Sequence, residues 1–147
     1  MGKSVSHDGN GERRIALSKD NFRDLLTNEF TVKVLKLEAN SIFVVGVVTK
    51  LEEIDPNVML GISKGTWGFN SRGEFYQGGR SRKLDYAFKE GDIINVVVNT
   101  EEGKLALRIN EGTFISIPNS LSEIKKIGSL YPAVGIQWKI GTELLLV

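Results

Sequence analysis

The sequence predicts an all-β fold, a sandwich or a barrel, and three observations carry that prediction. Short apolar stretches recur at a spacing of roughly 8–12 residues, with turn residues between them. No helical pattern alternates with them, so there is nothing from which to build βαβ crossovers. The stretch from Thr66 to Gly79 sets Trp67, Phe69 and Phe75 around a polar turn at Asn70 to Gly73, with Tyr76 and a glycine pair behind it. Large rings suit a pleated surface, and glycine supplies the positive φ that tight turns require.

Composition narrows the class. A chain of 147 residues suits one domain, and its apolar fraction of 41% and charged fraction of 25% are those of an ordinary globular protein. The net charge is +1, which speaks against a nucleic-acid binder built on a basic face. There is no cysteine, hence no disulfide framework and no thiolate metal site; this fits a cytoplasmic or nuclear setting. Sixteen glycines against three prolines read as many tight turns.

Residues 1–14 are polar and without periodicity and read as a disordered arm, leaving 15–147 as one β domain. Met1-Gly2-Lys3-Ser4-Val5-Ser6 fits the pattern for N-myristoylation of Gly2, with a chance match as the plain alternative. One acyl chain anchors only marginally, and Lys3, Arg13 and Arg14 are offset by Asp8 and Glu12. Arg14 to Ser18 reads as a short strand, and Ser18 to Thr27 as a short helix or turn through the spacing of Phe22, Leu25 and Leu26. Phe30 to Leu37 alternates as a strand, but Leu35 and Leu37 take over the apolar parity, which predicts a bulge or a strand covered on both sides.

Ile42 to Val48 is almost wholly apolar, as in a central strand buried on both faces. A polar loop, Lys50 to Asn57, separates it from an expected short strand at Val58 to Ile62. The aromatic hairpin follows, and Arg80 to Lys89 reads as a loop. Ile93 to Val98 and Lys104 to Asn110 pair across a glycine-containing turn. Thr113 to Ile117, Leu130 to Ile136 and Thr142 to Val147 complete the strands. Parity sends adjacent Phe75 and Tyr76 to opposite faces, so one is core and the other faces water or a site.

No catalytic constellation is visible. His7, the sole histidine, lies in the polar arm, which rules out a Ser-His or Cys-His system. No phosphate-binding glycine motif occurs. The acid pairs Glu52-Glu53 and Glu101-Glu102 fall in expected loops, where solvated carboxylates are the ordinary reading. Asp55, Asn57 and Asp92 lack calcium-loop spacing. No cofactor or metal is expected. Trp67, beside glycine within a strand, reads as core; Trp138, among polar neighbours at a strand end, reads as a binding anchor.

The successive motifs Trp67-Gly68-Phe69, Phe75-Tyr76-Gln77-Gly78-Gly79, Phe88-Lys89-Glu90-Gly91-Asp92-Ile93-Ile94, Asn99-Thr100-Glu101-Glu102-Gly103-Lys104-Leu105 and Leu130-Tyr131-Pro132-Ala133-Val134 resemble those of the SPRY domain in order and spacing. The likeness runs from about Ile42 to Val147 and takes in Gly46. Earlier, where the family often has Tyr-Trp-Glu, this chain has Glu29-Phe30-Thr31-Val32. The resemblance implies a two-sheet antiparallel β-sandwich of the concanavalin-like jelly-roll kind, working as a protein-recognition module without catalysis. By motif matching to members that carry a SOCS box, Tyr76 and Trp138 would line a shallow peptide pocket. Lys139 stands where those members have glycine.

The expected site therefore comprises Tyr76, Trp138, Gln137 and Lys139, with Arg72 and Arg80 at its rim and Leu51 and Asp55 on the loop 50–57. The expected partner is a peptide or loop of another protein, in a ubiquitin-ligase or signalling assembly, bound by a monomer. Two alternatives are a lectin-like sandwich that stacks sugars on Tyr76 and Trp138, and a structural subunit tethered to a membrane through Gly2.

Overall fold

A computed structural model describes residues 3–6, 14–17, 29–38, 41–49, 58–99, 102–117, 120–121, 130–137 and 143–146. Its strands are β1 Lys3–Ser6, β2 Arg14–Leu17, β3 Glu29–Lys36, β4 Ile42–Val48, β5 Thr66–Asn70, β6 Glu74–Gln77, β7 Arg80–Lys83, β8 Ile93–Asn99, β9 Lys104–Ile109, β10 Ile115–Ile117, β11 Tyr131–Gln137 and β12 Glu143–Leu146. They form two six-stranded antiparallel sheets, ordered β1-β12-β3-β8-β9-β10 and β2-β11-β4-β5-β6-β7. The described residues contain no helix. The expected helix or turn at Ser18 to Thr27 lies outside the described residues.

The alternating residues of the two sheets meet in one core. Phe30, Val32 and Val34 of β3, Ile94, Val96 and Val98 of β8, and Leu105 and Leu107 of β9 line one side. Phe43, Val45 and Val47 of β4, Trp67 and Phe69 of β5, Phe75 of β6, and Val134 and Ile136 of β11 line the other. Trp67 also ties the sheets by a polar contact: its indole N–H donates to the Ser120 carbonyl at 2.7 Å. The Ser120 hydroxyl in turn accepts from Leu105 N at 2.7 Å and donates to the Ile117 carbonyl at 2.8 Å, linking β9 and β10.

Of the two readings of the parity change late in β3, a bulge or burial on both sides, the bulge is the one observed. Glu143 pairs with Lys36 and Leu144 with Val34, so Leu35 is the extra residue, and it turns outward, 49% exposed. As its apolar run predicts, β4 is covered on both sides. Its Val44 and Val48 pack outward against Leu60, Ala133, Met59 and Tyr131.

Three expectations are corrected. Val58 to Ile62 is not a strand but a series of turns lying over the outer face of the second sheet. Gly61 at φ +100° and bonds from Ile62 N to the Met59 carbonyl and from Thr66 N to the Ser63 carbonyl curl the chain too tightly for pairing. Arg80 to Lys83, read as loop, is a strand. Gly78 and Gly79, at φ 54° and 90°, close a two-residue turn that lays Arg80 against Gln77, and a glycine pair between two runs is a hairpin signal. Lys3–Ser6, within the expected disordered arm, pairs antiparallel with β12.

Candidate functional site

The β5–β6 hairpin determines where Tyr76 goes. Phe75 pairs with Phe69 and faces the core, their ring centroids 4.9 Å apart. Tyr76 takes the opposite face, half-buried, with Gly68 of β5 on one side and Ser81 of β7 on the other. The turn segment 58–65 roofs this row. A Cβ added to Gly61 would come within 2.6 Å of the Tyr76 Cβ, and one on Gly68 would reach 3.0 Å from the Leu60 carbonyl oxygen. The roof is tied down by Gly79 N donating to the Gly61 carbonyl and by the Thr66 hydroxyl, which accepts from Gly61 N at 3.0 Å and donates to the Ser63 carbonyl at 2.6 Å.

The Tyr76 phenol donates to Glu74 Oε2 at 3.4 Å. Burial, then the nearby Glu74 carboxylate and the hydrogen bond to it, push the phenol pKa upward. Tyr76 is thus a neutral donor beside a carboxylate, with part of its ring open to water. Such a group can hydrogen-bond and pack against a ligand; it supplies no base. Glu74 escaped the sequence reading, although its spacing of two from Tyr76 puts it on the same face.

The turn between β5 and β6 is rigid. Asn70 Oδ1 accepts from Arg72 N at 3.0 Å and from Glu74 N at 2.9 Å. Ser71 N donates to the Phe43 carbonyl, and Phe43 N donates to the Ser71 hydroxyl at 3.2 Å. From the other side, the Tyr86 hydroxyl shares its one proton between the carbonyls of Asn70 at 2.9 Å and Glu74 at 3.2 Å. Burial first and the Glu74 charge second hold the Tyr86 phenol far above its ordinary value of 10.0. Because the folded state keeps this phenol protonated while the unfolded chain releases the proton near pH 10, its contribution to stability is complete below that pH and falls as pH rises. Urea midpoints measured from neutral to strongly alkaline pH should therefore drop less steeply for Tyr86→Phe than for wild type.

The expected site residues are distributed as follows. Arg72 is exposed at the β5–β6 turn, at the end of the sheet that also carries Ile42 and its register partner Gln137. Arg80 is exposed at the opposite end, beyond the β6–β7 turn. Tyr76 shares a row with Gly68, Gly46 and Ala133, and Gln137 lies four residues beyond Ala133 on β11, three strands over. At about 3.3 Å per residue and about 4.8 Å per strand, the two backbone positions are roughly 19 Å apart. Trp138, Lys139, Leu51, Asp55 and Gly2 lie outside the described residues.

A shallow depression of about 220 Å³ lies beside the roof, bounded by Lys64, Thr66, Trp67, Gln77, Gly78 and Arg80. That volume falls below the ~300–1,000 Å³ of small-molecule sites and suits one side chain of a partner. No group of three or more metal-ligating side chains occurs among the described residues. The Asp92 carboxylate is instead engaged by Lys89 N at 2.7 Å and by the Asn110 amide at 3.1 Å.

Comparison with known proteins bears on this geometry. The SPRY domain family profile matches residues 28–146. A crystal structure of a human SPRY domain superposes with a TM-score of 0.76 at 21% identity, covering 97% of this chain and 89% of that one. The crystal structure of the SPRY domain of human HERC1 gives a TM-score of 0.71 at 16% identity, covering 99% and 92%. No curated protein sequence matched the chain.

Proposed function

Because the chain belongs to the SPRY domain family, we propose that it is a protein-interaction module that binds a short segment of a partner protein on the outer face of its second sheet, without catalysis. One observation carries this reading: a half-buried, neutral Tyr76 held by Glu74 beside a hydrogen-bonded roof, on a sheet whose other face is core. A stiff scaffold that presents an aromatic side chain with one polar tip is suited to anchoring a polypeptide at small conformational cost. Trp138 serves as a second anchor by motif matching. With Tyr76 and Gln137 roughly 19 Å apart, a ligand reaching both ends of this face needs about six extended residues.

Affinity capture from cell extract should compare wild type, Tyr76→Ala, Trp138→Ala and the double variant, each first checked for an unchanged melting temperature. Each single variant should weaken recovery of the partner, and the double variant should abolish it, as loss of a central aromatic anchor costs about 2 kcal/mol or more. Undiminished recovery by the folded double variant would move the site elsewhere.

A further inference from the structure

The strand β7 forms one edge of the second sheet, and nothing among the described residues pairs with its open side. All four of its residues, Arg80, Ser81, Arg82 and Lys83, are exposed. Its backbone is presented in a defined way. A two-residue turn makes Gln77 and Arg80 a hydrogen-bonded pair, and bonded pairs alternate, so Phe75 and Arg82 form the next one. Ser81 and Lys83 must therefore direct their N–H and C=O groups away from β6, toward solvent.

The charge along this edge is lopsided. Residues 64–83 hold five cations, Lys64, Arg72, Arg80, Arg82 and Lys83, against the single anion Glu74, a net +4. The whole chain is +1, so the remaining residues are together −3. Lys83 donates to the Arg72 carbonyl, but Arg80 and Arg82 have no ion-pair partner among the described residues. Where β7 leaves its turn, the depression lined by Lys64, Gln77 and Arg80 opens beside the strand.

From this arrangement we infer that β7 accepts an acidic, extended segment of a partner protein as a seventh strand. Main-chain bonds to Ser81 and Lys83 fix its register, and carboxylates at alternate positions lie opposite Arg80 and Arg82. An arginine-rich edge repels a second copy of itself, which keeps the edge from self-pairing, while leaving an acidic strand as the complement. A peptide fits better than a nucleic acid because the outward groups form a strand ladder and the chain as a whole is almost neutral. Ser81 adjoins Tyr76 on the outer face, but Arg80 and Arg82 pair with Gln77 and Phe75 on the opposite face, and the edge bonds come from the β7 main chain, so the inference does not rest on the Tyr76 side chain.

The test uses a labelled peptide alternating glutamate and threonine, with fluorescence anisotropy as the readout. Controls are a peptide of the same composition with its glutamates in one block, the alternating peptide N-methylated along one edge, and a single-stranded oligonucleotide. Wild type should prefer the alternating peptide over the blocked and N-methylated ones by about tenfold or more. Arg80→Glu/Arg82→Glu should reduce that binding by at least as much, and so should Ser81→Pro. The proline removes only an outward N–H and leaves the hairpin bonds in place. Tyr76→Ala should bind the probe as wild type does, which separates this result from that of the outer-face site. Equal binding of alternating and blocked peptides, undiminished binding by Ser81→Pro, or tighter binding of the oligonucleotide would each overturn the inference.

Discussion

Replacing Gly46 with alanine is expected to prevent the second sheet from closing. Gly46 sits mid-strand in β4, opposite Gly68 of β5. A Cβ there would meet the Trp67 carbonyl oxygen at 1.8 Å and the Gly68 Cα at 2.8 Å. Both are backbone atoms, so no rotamer change relieves the overlap; the two central strands would have to separate. The cost should exceed about 3 kcal/mol, the upper end of ordinary overpacking. Gly91 provides the contrast. An alanine Cβ there meets nothing within 4 Å, and only its φ of +89° opposes the change, at about 1–2 kcal/mol. Urea denaturation of the two variants should show a much lower midpoint for Gly46→Ala. Equal midpoints would mean that β4 and β5 are not packed as described.

Trp67→Ala should cost about 3–5 kcal/mol and remove the protein from the soluble fraction. The indole is 3% exposed in the core, and its N–H is the partner of the buried Ser120 carbonyl. Trp67→Phe separates the two contributions. It keeps most of the apolar volume but leaves that carbonyl without its donor, at about 1–3 kcal/mol. The ordering wild type, then Phe, then Ala in thermal midpoint is the expected result. A soluble Trp67→Ala variant with an unchanged melting temperature would show that the residue does not join the sheets.

Much of this architecture was legible in the residues. The parity of Phe75 and Tyr76, the two-sided burial of β4 and the bulge at Leu35 all follow from side chains alternating along a strand. What went unread depends on glycine pairs and turns. The Gly78-Gly79 turn makes Arg80 to Lys83 a strand, although four polar residues carry no apolar alternation to announce it. Val58 to Ile62 has the apolar content of a strand, yet of its apolar side chains only Leu60 is buried, and Gly61 bends the segment into turns.

The candidate site divides along the same line. The sequence alone sends Phe75 and Tyr76 to opposite faces, because a strand's period of two is local, but leaves open which of them is core. It could not tell how far Tyr76 stands from Gln137, or that Glu74 and the roof at Gly61 would frame the phenol. Those distances are set by strand order across four strands, which places β11 beside β4 and which the alternation within any one strand does not reveal. Tertiary structure alone also decided that the arginines of β7 lie on an open edge, since an edge exists only once a sheet has an order.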